Sequence, residues 1–149
     1  MSLKRAERLL PVVQMAEREE QDAARALARS QEQLRQGEVK LGELQRYRHD
    51  YQQQWLQQGS QGVSGQWLMN YQRFLSQLEV AIGQQQRSID WLRENQQRAR
   101  DLWQQKHVRL EGLRKLVQRY RDEARQAEDR REQRLLDELA QRLNQRDTP

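Results

Sequence analysis

From Leu9 the chain places apolar side chains at alternating steps of four and three. The series runs Leu9, Val13, Ala16, Glu20, Ala23, Leu27, Ser30, Leu34, Gly37, Leu41, Leu44, Arg48, Tyr51 and Trp55. Ten of these fourteen positions are apolar or aromatic, and nearly everything between them is polar. That is the a/d stripe of a coiled coil. A second series starts after a glycine-rich break and reads Leu68, Tyr71, Leu75, Leu78, Ile82, Gln85, Ile89, Leu92, Gln96, Ala99, Trp103, Lys106, Leu110, Leu113, Val117, Tyr120, Ala124 and Ala127. It keeps register without a slip and then fails, because Arg131 and Arg134 fall on it. The apolar residues return out of phase as Leu135, Leu136, Leu139 and Leu143, a stripe suited to a groove or to another helix. Alanine and glycine at several core positions make the first seam thin, so the first helix is weak without a partner.

The break itself, Gly59-Ser-Gln-Gly-Val-Ser-Gly65, is too short for anything but a tight reversal. Gly59 suits the C′ position of the first helix and Ser64 the N-cap of the second. Short loops join antiparallel neighbours. The pattern therefore predicts one all-α domain, two long helices in an antiparallel coiled-coil hairpin. Helix one covers about 11–57, the loop 58–64 and helix two about 65–145, at roughly 1.5 Å rise per residue. Pro11 fits the first turn of helix one, with residues 2–10 frayed or kinked away. Counting outward from the loop sets Trp55 against Leu68, Leu41 near Ile82, Leu34 near Ile89 and Val13 opposite roughly Leu110. Helix two is the longer and overhangs.

Composition narrows the class. Only 35% of residues are hydrophobic, 33% are charged, and the mean hydropathy is −1.24. A compact domain draws on roughly 45–50% apolar residues, so narrow-seamed helices fit and a globule does not. No cysteine is present, which leaves no disulfide framework and suits a reducing compartment. The amino-terminal stretch lacks a signal-peptide pattern and no apolar run approaches the roughly 18 residues of a membrane span. These features give the expectation of a cytoplasmic protein.

The net charge of +5 is unevenly distributed. Residues 1–57 carry 10 basic and 9 acidic groups, residues 58–121 carry 11 and 5, and residues 122–149 carry 6 and 8. The basic middle can face the acidic run Glu17, Glu19, Glu20 and Asp22 when the chain folds back. No basic cluster is interleaved with stacking aromatics, so a nucleic-acid partner is not expected. A basic coiled coil that organises nucleic acid stays as the reading from another class. A self-assembling coiled coil stays as well, although the hairpin predicts a monomer in isolation.

Nothing converges for catalysis. His49 and His107 lie far apart on helices, the glycines lack the Lys-Ser/Thr ending of a phosphate loop, and no acidic cluster has metal-loop spacing. The chain is read as a non-enzyme without cofactor or metal. Two features exceed what a hairpin needs. One is the stripe at 135–143. The other is the aromatic group behind the loop, where Trp67 and Phe74 flank the seam. They either widen its hydrophobic cap against Tyr51 and Trp55 or form an exposed anchor for another protein. Trp91, off the seam, is assigned no role.

The stretch "QWLMNYQRFLSQLEVAI" resembles the loop-proximal motif of the FliJ family of flagellar export proteins. Trp67, Asn70, Tyr71, Gln72 and Phe74 carry the spacing, followed by Leu78-Glu79 and Ala81-Ile82. "AEREEQDAAR" (16–25) and "LLDELAQR" (135–142) add weaker matches in the right order. The resemblance implies a stalk-like hairpin that binds the hexameric flagellar export ATPase and promotes its assembly and activity. It also implies links to the membrane-embedded export gate and to export chaperones, at the cytoplasmic face of the inner membrane. A non-flagellar type III secretion stalk is the related alternative. On this resemblance Trp67, Asn70, Tyr71, Gln72, Phe74 and Leu78 are expected to meet the gate. Leu9, Val13, Leu135, Leu136, Leu139 and Leu143 are expected to meet the ATPase ring.

Overall fold

The computed structural model describes residues 1–147. The chain is an all-α hairpin of two helices, α1 (Ser2–Gly59) and α2 (Gly65–Asp147), of 58 and 83 residues. No strand occurs among the described residues. The helices pack as two compact units, one formed by Ala23–Trp103 and the other by Met1–Asp22 with Gln104–Pro149.

The first unit contains the reversal. Ser64 caps α2 as its sequence position predicts: its Oγ accepts a hydrogen bond from the Trp67 amide at 3.1 Å, and its carbonyl accepts from the Leu68 amide at 3.1 Å. Gly59, by contrast, stays helical, and the positive φ of 82° sits at Gly62. The last turn of α1 tightens through i→i+3 bonds, with the Gln61 amide on the Gln58 carbonyl at 3.1 Å and the Gly62 amide on that of Gly59 at 3.4 Å. Ser60 Oγ donates to the Gln57 carbonyl at 2.8 Å. These bonds satisfy the terminal carbonyls in helical geometry and move the left-handed residue three places on.

The core of this unit follows both stripes. Tyr71, Leu78, Ile82 and Ile89 of α2 are buried, and α1 meets them with small buried residues, Ala23, Ser30 and Gly37. Ser30 Oγ donates to the carbonyl of Leu27 at 2.7 Å, so its burial leaves no hydroxyl unpaired. Gly37 marks a close approach: a Cβ there would lie 2.9 Å from Leu92 Cδ1. Its carbonyl accepts a part-buried hydrogen bond from Gln85 Nε2 at 2.9 Å. Large side chains on one helix thus interdigitate with small ones on the other.

The second unit pairs the start of α1 with the later part of α2. Ala6, Val13, Ala16, Leu110 and Val117 form its buried cluster, with Leu9, Leu113 and Tyr120 packed against it. Helix α1 begins at Ser2, not at Pro11; the Arg5 amide bonds the Met1 carbonyl at 3.2 Å, and Ser2 Oγ donates to Glu123 Oε2 at 3.1 Å. Pro11 is an exposed residue inside the helix. An interior proline costs about 3 kcal/mol. Burial of Ala6, Leu9 and Val13 on both sides of it offsets that cost, and the solvent-facing position lets water take up the carbonyl that loses its donor.

The acidic run of α1 faces basic residues of α2 in this unit. Glu19 Oε2 accepts from Lys106 Nζ and from Arg109, both at 3.2 Å, and Glu17 pairs with Arg114 at 3.4 Å. Glu20 and His107 approach to 3.8 Å. These groups are at least partly solvated, so each pair contributes no more than about 1 kcal/mol. Their clearer effect is on register, since a shifted α1 would lose all of them together.

Candidate partner-binding surfaces

Two surfaces singled out by the sequence have different characters in the structure. Behind the turn, six rings from the two helices form one aromatic cluster. Trp55 stacks on Trp67 (centroids 5.3 Å apart) and on Tyr71 (4.7 Å), and Trp67 also stacks on Tyr71 (5.6 Å). Tyr51 lies parallel to Tyr71 at 4.8 Å, and Phe74 packs at 4.5 Å from Tyr51 with its ring tilted. Tyr47 closes the row, edge-on to Phe74 at 5.7 Å. On α1 these rings follow the i, i+4, i+8 spacing of Tyr47, Tyr51 and Trp55, which puts them on one side of the helix. Tyr47 escaped the sequence reading because it lies one residue before the a/d position at Arg48; the i, i+4, i+8 spacing itself was the available signal.

The aromatics therefore pack mainly on each other. Tyr71 and Leu78 are buried, and Trp67 and Phe74 are half-buried. Burial also raises the Tyr71 hydroxyl above the ordinary tyrosine range, with a smaller contribution from Tyr51. Asn70, Gln72, Met69, Tyr47 and Leu56 are exposed at this end, and Trp67 and Phe74 are partly so. Arg48 and Glu79 pair beside it at 3.3 Å.

The second surface is the end of α2. Past Ala124 every described side chain through Arg146 is exposed. Leu135, Leu136, Leu139 and Leu143 are 55%, 61%, 54% and 61% exposed, an apolar stripe with no partner helix in its unit. Leu9 and Val13, expected on the same surface, are instead half-buried and buried in the cluster with Leu110 and Val117. Their side chains face the seam, since four-and-three spacing turns them toward α2.

One shallow groove among the described residues is lined by Leu10, Val13, Glu17, Arg114, Val117 and Arg121. Among the described residues no three His, Asp or Glu side chains gather to hold a metal ion. No helix there is long and apolar enough to cross a membrane. His49 is exposed, and His107 lies beside Glu20.

A two-helix hairpin with one aromatic-capped end and one bare leucine stripe defines a helical interaction protein. The chain belongs to the flagellar FliJ protein family, whose profile matches residues 5–148. It is 33% identical over 132 residues to the flagellar FliJ protein of Escherichia coli (strain K12), covering 89% of this chain and 90% of that one. The flagellar FliJ protein of Salmonella typhi is 32% identical over the same shares. No solved structure matches significantly. The chain is accordingly a non-enzymatic component of flagellar protein export.

Proposed function

We propose that the chain serves flagellar export as a coiled-coil stalk. It binds the hexameric export ATPase, promotes its assembly and activity, and links it to the export gate and to export chaperones at the cytoplasmic face of the inner membrane. The observation that carries this reading is the stripe Leu135, Leu136, Leu139 and Leu143, each more than half exposed near the end of α2. A solvated helix of this kind is marginal by itself, and an apolar groove in another protein stabilises it.

In this reading the leucines of the arm contact the ring, while Leu9 and Val13 support it indirectly by fixing the base of the arm to α1. At the loop end Asn70, Gln72 and the open edges of Trp67 and Phe74 touch the gate. Tyr71 and Leu78 hold those residues in place from within the seam.

The test is co-purification of the export ATPase with the full-length chain and with Leu139→Glu/Leu143→Glu. Loss of at least about ten-fold in binding is expected, because two buried apolar anchors are replaced by charge. Unchanged binding by a variant with unchanged helicity would overturn the assignment of the arm.

A further inference from the structure

Helix α2 carries a second apolar pattern on the face turned away from α1. Met69, Val80, Trp91 and Leu102 are spaced by eleven residues and are 60%, 58%, 58% and 46% exposed. Eleven residues make three turns with a drift of only about 20°, so all four lie along one line of the helix. The intervening positions of that line carry Arg73, Arg87 and Arg98, all exposed, and no carboxylate. The nearest acid, Glu94, sits at its edge and is held 3.5 Å from Arg98. The next step of eleven reaches Leu113, which packs in the core of its own unit, so the line ends at Leu102.

This pattern is not required by the hairpin, because the α1–α2 seam repeats in sevens and uses other residues. We propose that the line from Met69 to Leu102 is a docking surface for one acidic amphipathic helix of another protein. The apolar residues, with Trp91 at the centre, provide the anchors, and the arginines select carboxylates on the incoming helix. Charge complementarity fixes the occupant. A second copy of this chain would set arginine against arginine along the same line. An anionic membrane calls for a wide apolar arc, and here the exposed apolar residues form a single narrow line broken by arginines. A nucleic-acid backbone would leave Met69, Val80 and Leu102 without a partner.

The period also specifies the docking geometry. Seven-residue repeats give left-handed supercoils and eleven-residue repeats right-handed ones. The incoming helix therefore wraps α2 in the right-handed sense, with apolar residues of its own every eleven. Successive anchors lie about 16 Å apart, so full engagement takes roughly 34 residues. This surface stands whether or not the arm binds the ATPase, since it shares no residue with the stripe at 135–143.

The experiment places the photo-crosslinking residue p-benzoylphenylalanine at Gln84, on the line between Val80 and Trp91, in the full-length chain expressed in flagellated cells, and maps the product by mass spectrometry. The expected product joins Gln84 to a helical protein segment with excess Asp and Glu and apolar residues eleven apart. Trp91→Ala, and separately Arg73→Glu/Arg87→Glu, should each cut its yield at least about ten-fold while the melting temperature stays unchanged. Leu139→Glu/Leu143→Glu should leave it intact, which separates this surface from the stalk reading. The proposal is overturned by a product with lipid, nucleic acid or a second copy of the chain. It is equally overturned by a segment lacking the acidic excess, by no product, or by a yield indifferent to both variants.

Discussion

The rings of Tyr51 and Tyr71 lie parallel to within 6° at a centroid separation of 4.8 Å, one from each helix. This pair sits at the middle of six aromatic rings and ties the two helices of the hairpin together next to the turn. Phe74 packs further on Tyr51, and Trp55 and Trp67 stack on Tyr71, so the contact is held from both ends.

Removing the pair should expose its cooperativity. Tyr71→Ala is expected to destabilise the hairpin by about 3 kcal/mol, because it empties a buried site. A double-mutant cycle with Tyr51→Ala should give a coupling of about 0.5–1.5 kcal/mol. Urea unfolding followed by near-ultraviolet circular dichroism measures both.

The same burial sets a pH dependence. The folded state holds the Tyr71 phenol above its ordinary value, chiefly because burial penalises the phenolate. The unfolded chain releases that proton near pH 10. The contribution of Tyr71 is therefore fully present below about pH 10 and is lost as pH rises through the folded value. Thermal melts between pH 8 and 11, on the order of that window, should show a fall at the alkaline end, and Tyr71→Phe should flatten it.

Two glycines of α1, Gly37 on the seam and Gly42 off it, should respond in opposite ways to added bulk. Nothing lies within 4 Å of a Cβ built at Gly42, whereas one at Gly37 meets Leu92 at 2.9 Å. Gly42→Ala is expected to stabilise by about 1 kcal/mol through helix propensity alone. Gly37→Val should destabilise by about 1–3 kcal/mol by overpacking. Melting temperatures of the two variants decide the sign of each.

Much of this was legible in the sequence because only one face of each helix packs against the other. Four-and-three spacing identifies Tyr71, Leu78, Ile82, Ile89, Leu110 and Val117 as core, and all six are buried. The cap at Ser64 was equally legible, since its hydroxyl serves an amide three residues away. Where the reading departed from the structure, tertiary packing prevailed over a local rule. Pro11 reads as a helix start until Ala6, Leu9 and Val13 are seen in one cluster with Leu110 and Val117. Phe74 reads as surplus beside the seam until Tyr47 is seen edge-on to it. The line through Trp91 was hidden by its period, because a search in sevens passes over residues spaced by eleven.

Phe74 joins packing and recognition, and the two can be separated. Phe74→Ala is expected to cost about 1–2 kcal/mol, less than a fully buried ring, and to weaken gate binding as well. Asn70→Ala and Gln72→Ala should leave stability within about 0.5 kcal/mol of the wild type and weaken gate binding alone. Pairing melting curves with binding to the cytoplasmic part of the gate tests this. Gate binding and motility untouched by Phe74→Ala would remove Phe74 from the contact.

In the proposed assembly the bare leucine arm, not the aromatic end, meets the export ATPase. Hydrogen exchange on the full-length chain with and without the ATPase measures it directly. Amides of residues 128–146 should exchange fast in the free chain, as a helix with all its side chains exposed does, and become protected in the complex. Those around Leu110 and Val117 should be protected in both. Protection appearing only around Trp67–Leu78, with the arm unchanged, would contradict the account.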